Sequence, residues 1–306
     1  MPSNTSQPTP SLLWGAEDLW ERLVPLLPGL SVEVVHRTSS TNSALLERAR
    51  AVPEPRGGTN DVIVRRSVES GAFGRRAIDL QPCLLVAEYQ SAGRGRQGRS
   101  WQSASGASLT FSLALPIAAT DWSGLSLAVG VALCEALDPR LDVASRWVGL
   151  KWPNDLWLMD GLHGGRKLGG ILIETVSAGE QRLVIVGIGL NVQPFDAGTT
   201  STGFASISEI DERATAPSVL AQVAVPLVQA LKQFEREGFA TFADRFAARD
   251  MLRGRAVRTT HADVPEGIAR GVSPQGALLV ESASGIASVT SGEVSVRLAD
   301  APPTQA

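Results

Sequence analysis

Residues 83–101 read CLLVAEYQSAGRGRQGRSW. The apolar run Cys83–Tyr89 predicts a buried strand, and glycines follow it at 93, 95 and 98. A G-x-G-x-x-G run after a strand normally opens a helix whose N-terminus holds pyrophosphate. Here RSWQSASGASLTF comes next, a polar loop and then a second strand, 108–116. Neither the helix nor the acid-ended strand of a dinucleotide fold follows. A kinase glycine loop requires a lysine on the next strand and later HRD and DFG motifs, and none is present. A P-loop requires G-x-x-x-x-G-K-[ST], which Gly165-Arg-Lys167-Leu does not satisfy. The chain therefore uses its glycines to join two strands, which excludes the three commonest phosphate-binding folds.

Glycines let backbone N–H groups approach a ligand closely. Arg94, Arg96 and Arg99 add fork-shaped donors suited to carboxylate and phosphate oxygens, and Trp101 ends the loop with a ring able to stack on a base or cap an apolar pocket. Three neighbouring arginines repel one another, so the loop should be mobile alone and ordered around an anion. The net charge of the 306 residues is −3, which gives no reason to expect nucleic-acid binding. A basic loop in a mildly acidic chain points to a small, local anion.

Arginine supplies nearly all the positive charge: there are 25 arginines and three lysines, Lys151, Lys167 and Lys232. Lys232 reads as an exposed helix position. Lys151 and Lys167 bracket WPNDLWLMDGLHGGR, where a compact ammonium has been kept although arginine is favoured elsewhere. KWPND places Lys151, Asn154 and Asp155 on a turn, which reads equally as simple Asx-turn chemistry. RKLGGILIE sets Lys167 at a strand start beside Gly169 and Gly170, a pair that weakens a strand and marks close approach of a ligand. SSTN, 39–42, offers hydroxyls and an amide at a helix start, and reads equally as an N-cap. GIGLNV thins the side chains beside Asn191. His36, His163 and His261 show no ligand spacing, and no nucleophilic triad is present.

Residues 1–12 read as a polar tail. A short amphipathic helix is expected within 14–27, a strand at 31–37 and a helix at 39–51. Residues 52–80 are rich in Pro, Gly and Arg, with one strand-like run, DVIVRR. A buried helix is expected at 122–139, a strand hairpin over 167–192, and helices near 216–236 and 239–250. From Arg253 the chain turns to short strands, a small all-β unit. No apolar run reaches the ~18 residues of a membrane span, and no secretory signal is visible. Cys83 and Cys134 sit in apolar runs as buried thiols, so the expected compartment is the cytoplasm.

Taken in order, SSTN, EYQSAGRGRQGRSW, KWPNDLWL, RKLGGILIE, VGIGLNV and GALLVES…GEVSVRL resemble biotin protein ligase across residues 30–298. The resemblance implies a fold of the α/β (α+β) class, with a catalytic domain over 13–250 built on a mixed sheet, an SH3-like barrel over 251–300 and a tail at 301–306. It implies ATP-dependent activation of biotin to biotinyl-5′-AMP, with Mg²⁺, and transfer to a lysine of a biotin carboxyl carrier protein. Ser40, Thr41, Asn42 and Gln90 then correspond to head-group contacts, and Gly93, Arg94, Gly95 and Arg96 to the loop that closes over biotin and adenylate. Lys167 corresponds to the lysine on the carboxylate and α-phosphate, with Gly170 in the pocket wall. Arg99, Trp101, Lys151, Asn154, Asp155 and Asn191 correspond to ATP or adenylate contacts, Asp155 being the candidate for Mg²⁺. Only 38 residues precede Ser39, fewer than a helix-turn-helix domain needs, so specific DNA binding and a repressor role are disfavoured. Five extra residues around GLHGG leave the position of Lys167 to be settled. A lipoyl or octanoyl transferase of the same catalytic fold is the alternative, disfavoured by the arginine loop and the terminal β unit.

Overall fold

The computed structural model describes residues 12–50, 72–73, 81–119, 121–140, 147–159, 164–178, 181–198, 202–290 and 295–299. The polar tails, most of 52–80 with its DVIVRR run, and 161–163 with His163 lie outside the described residues.

The chain starts with α1 (Ala16–Leu23), β1 (Ser31–Thr38) and α2 (Thr41–Arg50). The short β2 (Ala72–Phe73) and then β3 (Cys83–Gln90) follow. The glycine loop is itself a small hairpin of β4 (Gly93–Arg94) and β5 (Ser100–Trp101) around a 3-10 turn at Arg96–Gly98. Next come β6 (Ser108–Pro116), α3 (Leu125–Leu137), β7 (Val148–Lys151), β8 (Asp155–Leu158), β9 (Arg166–Ala178) and β10 (Gln181–Asn191). The helix α4 (Ala216–Glu237) is as expected, but 239–250 is not one helix: it is a 3-10 turn, Ala240–Phe242, and the five-residue α5 (Ala243–Ala247). Asp250 and Met251 instead extend to meet β7, with the Leu150 N–H donating to Arg249 and the Met251 N–H to Leu150. That backbone pairing covers an edge that would otherwise lie open.

Eight strands form one mixed sheet in the order β2-β1-β3-β6-β10-β9-β8-β7, with β1 and β3 parallel and the other pairs antiparallel. Side chains alternate across it as the strand period requires. Leu84 and Val86 of β3 join Val184, Val186, Ile188 and Leu190 of β10 in the main core with α1, α3 and α4. Cys83, Leu85, Leu183 and Ile185 point the other way, under Leu45 and Leu46 of α2. On that second face the paired positions of β9 and β10 run Val176/Leu183, Glu174/Ile185, Leu172/Gly187 and Gly170/Gly189. Bulk is lost step by step. The helix covers the first pairs, and the glycines floor a cavity beyond its N-terminus.

The last five strands, β11 (Ala256–Thr259), β12 (Glu266–Val272), β13 (Leu278–Ser282), β14 (Gly285–Val289) and β15 (Val296–Leu298), form an antiparallel sheet in the order β14-β13-β12-β11-β15. It is docked on the larger sheet: Trp152 Nε1 donates to the Gly276 carbonyl at 3.0 Å, and a Cβ on Gly276 would lie 2.7 Å from Gly124 Cα. Both cysteines are free and buried. No described helix is long and apolar enough to cross a membrane.

Candidate active site

The cavity holds about 720 Å³ and reaches from Ser40–Asn42 to the C-terminal sheet, a size suited to a small-molecule ligand. Among the described residues, eight lysine and arginine side chains line it against a single carboxylate, Asp155. Such an excess of cations in a concave wall attracts an anion.

One end is a polar niche. Residues 41 and 42 open α2, so their side chains stand over the glycine floor; a Cβ on Gly187 would lie 2.1 Å from Asn42 Oδ1. The Thr41 backbone N–H donates to Gln90 Oε1 at 2.7 Å, and the Thr41 hydroxyl donates to the same oxygen at 3.2 Å. Two donors on Oε1 fix the Gln90 amide and leave its Nε2 hydrogens as donors. The Ser112 hydroxyl lies 2.6 Å from both Thr41 Oγ1 and Asn42 Oδ1. Asn42 Nδ2 donates to the Leu172 carbonyl and to Glu174. Ser40, Thr41, Asn42 and Gln90 are all buried. Their orientations are therefore set before any ligand arrives.

The glycine hairpin forms the roof. Gly93 sits opposite Trp101, and its absent side chain leaves room for the Trp101 carbonyl, 2.4 Å from where a Cβ would be. Gly95 donates its N–H to the Arg99 carbonyl at 2.7 Å. Arg94 reaches Glu174, with Nη2 3.0 Å from Oε1, Arg96 donates to Asn154 at 3.4 Å, and Arg99 donates to Ser295 of the C-terminal sheet at 2.9 Å. Burial lowers the Arg96 pKa; the Asp155 carboxylate opposes this and the Arg99 charge adds to it.

The middle of the cavity holds both lysines. Lys167 Nζ is 2.8 Å from Asp155 Oδ1 and 5.9 Å from the centre of the Trp101 ring. A Cβ on Gly170 would stand 3.6 Å from each of these three side chains. Lys167 pairs with Trp157 of β8, just past a bulge between Leu156 and Trp157 at which the β8–β9 register shifts by one residue. Lys151 is more enclosed, 9% exposed and 4.7 Å from the centre of the Trp157 ring. Burial brings its pKa down to about 8; Asp155 opposes the shift, while Lys167, Arg297 and Arg99 add to it.

All but two of the candidate residues line this cavity. Gly93 shapes the hairpin from behind. Asn191 donates to the carbonyls of Lys167 and Ala205, at 3.3 and 3.0 Å, so it braces the strand that carries Lys167. Other contributors escape a sequence reading. Arg255, Ser295 and Arg297 close the far wall, and Ser112 and Glu174 lie behind the niche; for these last two, alternation along their strands is the signal that places them on the cavity face.

Residues 79–191 match the Biotin/lipoate A/B protein ligase family and residues 254–297 the Biotin protein ligase C terminal domain. The biotin–[acetyl-CoA-carboxylase] ligase of Mycobacterium tuberculosis is 31% identical over 291 residues, 92% of this chain and 91% of that protein. The bifunctional ligase/repressor BirA of Escherichia coli is 36% identical over 224 residues, and this chain spans 66% of its length. The biotin protein ligase of Aquifex aeolicus, solved with biotin and ATP, superposes with a TM-score of 0.66 at 25% identity, covering 88% of this chain and 99% of that one. With a relative matched almost end to end and both family models in their expected order, this chain belongs to the biotin protein ligase family.

Proposed function

We propose that the chain couples biotin to ATP as biotinyl-5′-AMP and passes the biotinyl group to a lysine of a biotin carboxyl carrier protein. The observation that carries this reading is the joining of a pre-set polar niche, an arginine roof and a lysine pair in one cavity, closed by a sheet that matches the ligase C-terminal domain. That sheet also separates this reading from a lipoyl or octanoyl transferase. The catalytic unit is taken as 13–250 and the terminal unit as 251–300.

In the first step a carboxylate oxygen of biotin attacks the α-phosphorus, and the bond to the β-phosphate breaks to release pyrophosphate. Anion meets anion, so the chain's part is positioning and charge neutralisation. Ser40, Thr41, Asn42 and Gln90 hold the head group by its donors and acceptors. Arg94 and Arg96 fold over the carboxylate with Gly95 giving backbone room, and Lys167 bridges carboxylate and α-phosphate from beside Gly170. Arg99, Lys151 and Asn154 face the polyphosphate, and Trp101 covers the adenylate. Among the described residues no three His, Cys, Asp or Glu side chains form a metal cluster. One carboxylate, Asp155, together with phosphate oxygens is an ordinary donor set for Mg²⁺, and the ion arriving with ATP supplies charge neutralisation on the leaving group. In the second step the acceptor amine attacks the acyl carbon, AMP leaves and the amine proton passes to solvent.

Incubation with ATP, Mg²⁺, biotin and an acceptor domain should add one biotinyl group to the acceptor by mass. Preferential transfer of lipoate under the same conditions would reverse the assignment.

A further inference from the structure

Behind the niche stands a half-buried carboxylate, Glu174, that the reaction as described does not use. Glu174 stands on β9, on the same face as Leu172 and Gly170, but one step behind the cavity wall. Its carboxylate takes three donors. Arg94 Nη2 lies 3.0 Å from Oε1, Arg94 Nη1 donates to Oε2 at 3.2 Å, and Asn42 Nδ2 donates to Oε2 at 2.9 Å. Arg94 belongs to the roof and Asn42 to the niche, so three separate parts of the chain meet on one carboxylate. Arg94 Nη1 also reaches Ser43 at 3.4 Å, one residue beyond Asn42.

The two-point contact matters because of what else holds the hairpin. Arg99 and Gln97 tie its far end to Ser295 of the C-terminal sheet. Arg94 makes the tie to the large sheet at the niche end. A fork-to-carboxylate pair fixes direction as well as distance. Without it, the Arg94 side chain, 46% exposed, has the freedom of a surface arginine. Asn42 is equally dependent: its Oδ1 lies by Ser112, so its amide is kept from turning over by the acceptors on Nδ2, Leu172 and Glu174.

We infer that Glu174 is a positioning residue that latches the arginine roof to the head-group niche, so that closing the roof and orienting Asn42 are one event. The inference rests on the ligase reading of this cavity. It gives Glu174 an effect on how long the adenylate is kept, transmitted through Arg94, with no contact of its own to the substrate.

Glu174→Gln keeps the size of the side chain and an acceptor for Asn42, but removes the charge that holds Arg94. The experiment forms biotinyl-adenylate on the parent chain, Glu174→Gln, Arg94→Ala and the double variant, then follows adenylate release after dilution, with melting curves for all four. The parent must form adenylate; if it does not, the ligase reading fails and the latch is not in question. Glu174→Gln should release adenylate about fivefold faster, as expected for a part-exposed but two-point ion pair, and hydrogen exchange over 94–98 in the bound state should rise. In the Arg94→Ala background the same substitution should change release by less than about twofold, because a contact already lost does not count twice. A release rate in Glu174→Gln close to the parent's, or an equal acceleration with and without Arg94, would overturn the latch and leave Glu174 as scaffold only. A lowered melting temperature alone, with normal release, has the same meaning.

Discussion

The floor of the cavity offers the sharpest test of the site, because a single methyl group reports on which ligand lies above it. Gly189 pairs with Gly170 across β10 and β9, and the Trp101 ring lies on them. A Cβ on Gly189 would stand 2.4 Å from Trp101 Cε2 and 2.7 Å from Cζ2 and Nε1. Ordinary contact begins near 3.4 Å, so the ring must rise by about 1 Å into the cavity or tilt out of it. Its backbone has little room to follow, since Trp101 is paired to Gly93. Overpacking of this kind costs about 1–3 kcal/mol, and here the cost falls on the ring position proposed to cover the adenylate. Gly189→Ala should therefore raise the ATP concentration needed for half-maximal pyrophosphate release by about 5- to 150-fold, while biotin affinity changes less than about threefold. Gly187→Ala is the internal contrast: its methyl would meet Asn42 Oδ1 at 2.1 Å, so biotin affinity should fall and the ATP dependence should hold. Single-turnover pyrophosphate release, with each substrate varied in turn and thermal melts to confirm folding, separates the two. If Gly189→Ala weakens biotin more than ATP, or leaves both unchanged in a folded protein, the placement of adenylate under Trp101 is wrong.

Lys167→Arg should keep the fold and lose most adenylation, because a planar fork does not fit beside Asp155 and the Gly170 floor; near-parental pyrophosphate release would reject this. Lys151 carries its proton below about pH 8, so ATP affinity should fall as pH rises from 8 towards 10, and Lys151→Arg should flatten that dependence in a binding titration. The Asp250 carboxyl is pushed up to about 6 by burial, against hydrogen bonds from the Leu252 and Arg253 backbone and the charge of Arg253. Between about pH 4 and 6 the folded form binds a proton that the unfolded form has shed, so stability should fall as pH rises through that window. Asp250→Asn should remove this slope and gain up to about 3 kcal/mol at pH 7, read from denaturant melts at several pH values.

Much of this site is legible in one dimension because alternation along strands is reliable. In LVIVGIGLN every second residue from Leu183 faces α2 and then the cavity, and the change from Leu and Ile to Gly marks where the helix stops and the cavity begins. The partner strand says the same in reverse, from Gly170 through Leu172 and Glu174 to Val176. Glu174 was therefore open to placement on the cavity side, but its two partners come from residues 42 and 94, and no local pattern joins them. Asn191 shows the opposite limit. It shares the face of Gly187 and Gly189 and so reads as a ligand contact; that its Nδ2 also donates to the carbonyls of Lys167 and Ala205 is not foretold by the sequence. Which side of a strand a residue occupies follows from local stereochemistry, whereas what its polar atoms touch depends on chain arriving from elsewhere.

The C-terminal sheet carries that distinction furthest. Its strands are plain from their spacing, but Arg255, Ser295 and Arg297 become cavity residues only because Gly276 packs on Gly124 and accepts the Trp152 indole N–H. Trp152 immediately follows Lys151, so one contact fixes the docked sheet and the turn beside a site lysine together. Removing residues 253–306 would accordingly uncover one wall, release the Arg99 end of the hairpin and free Trp152, while leaving the Thr41–Gln90–Ser112 niche intact. Biotin binding should survive in a soluble truncate, and acceptor biotinylation should fall far more. Full transfer activity in such a truncate would show that the arginine roof closes without its second anchor.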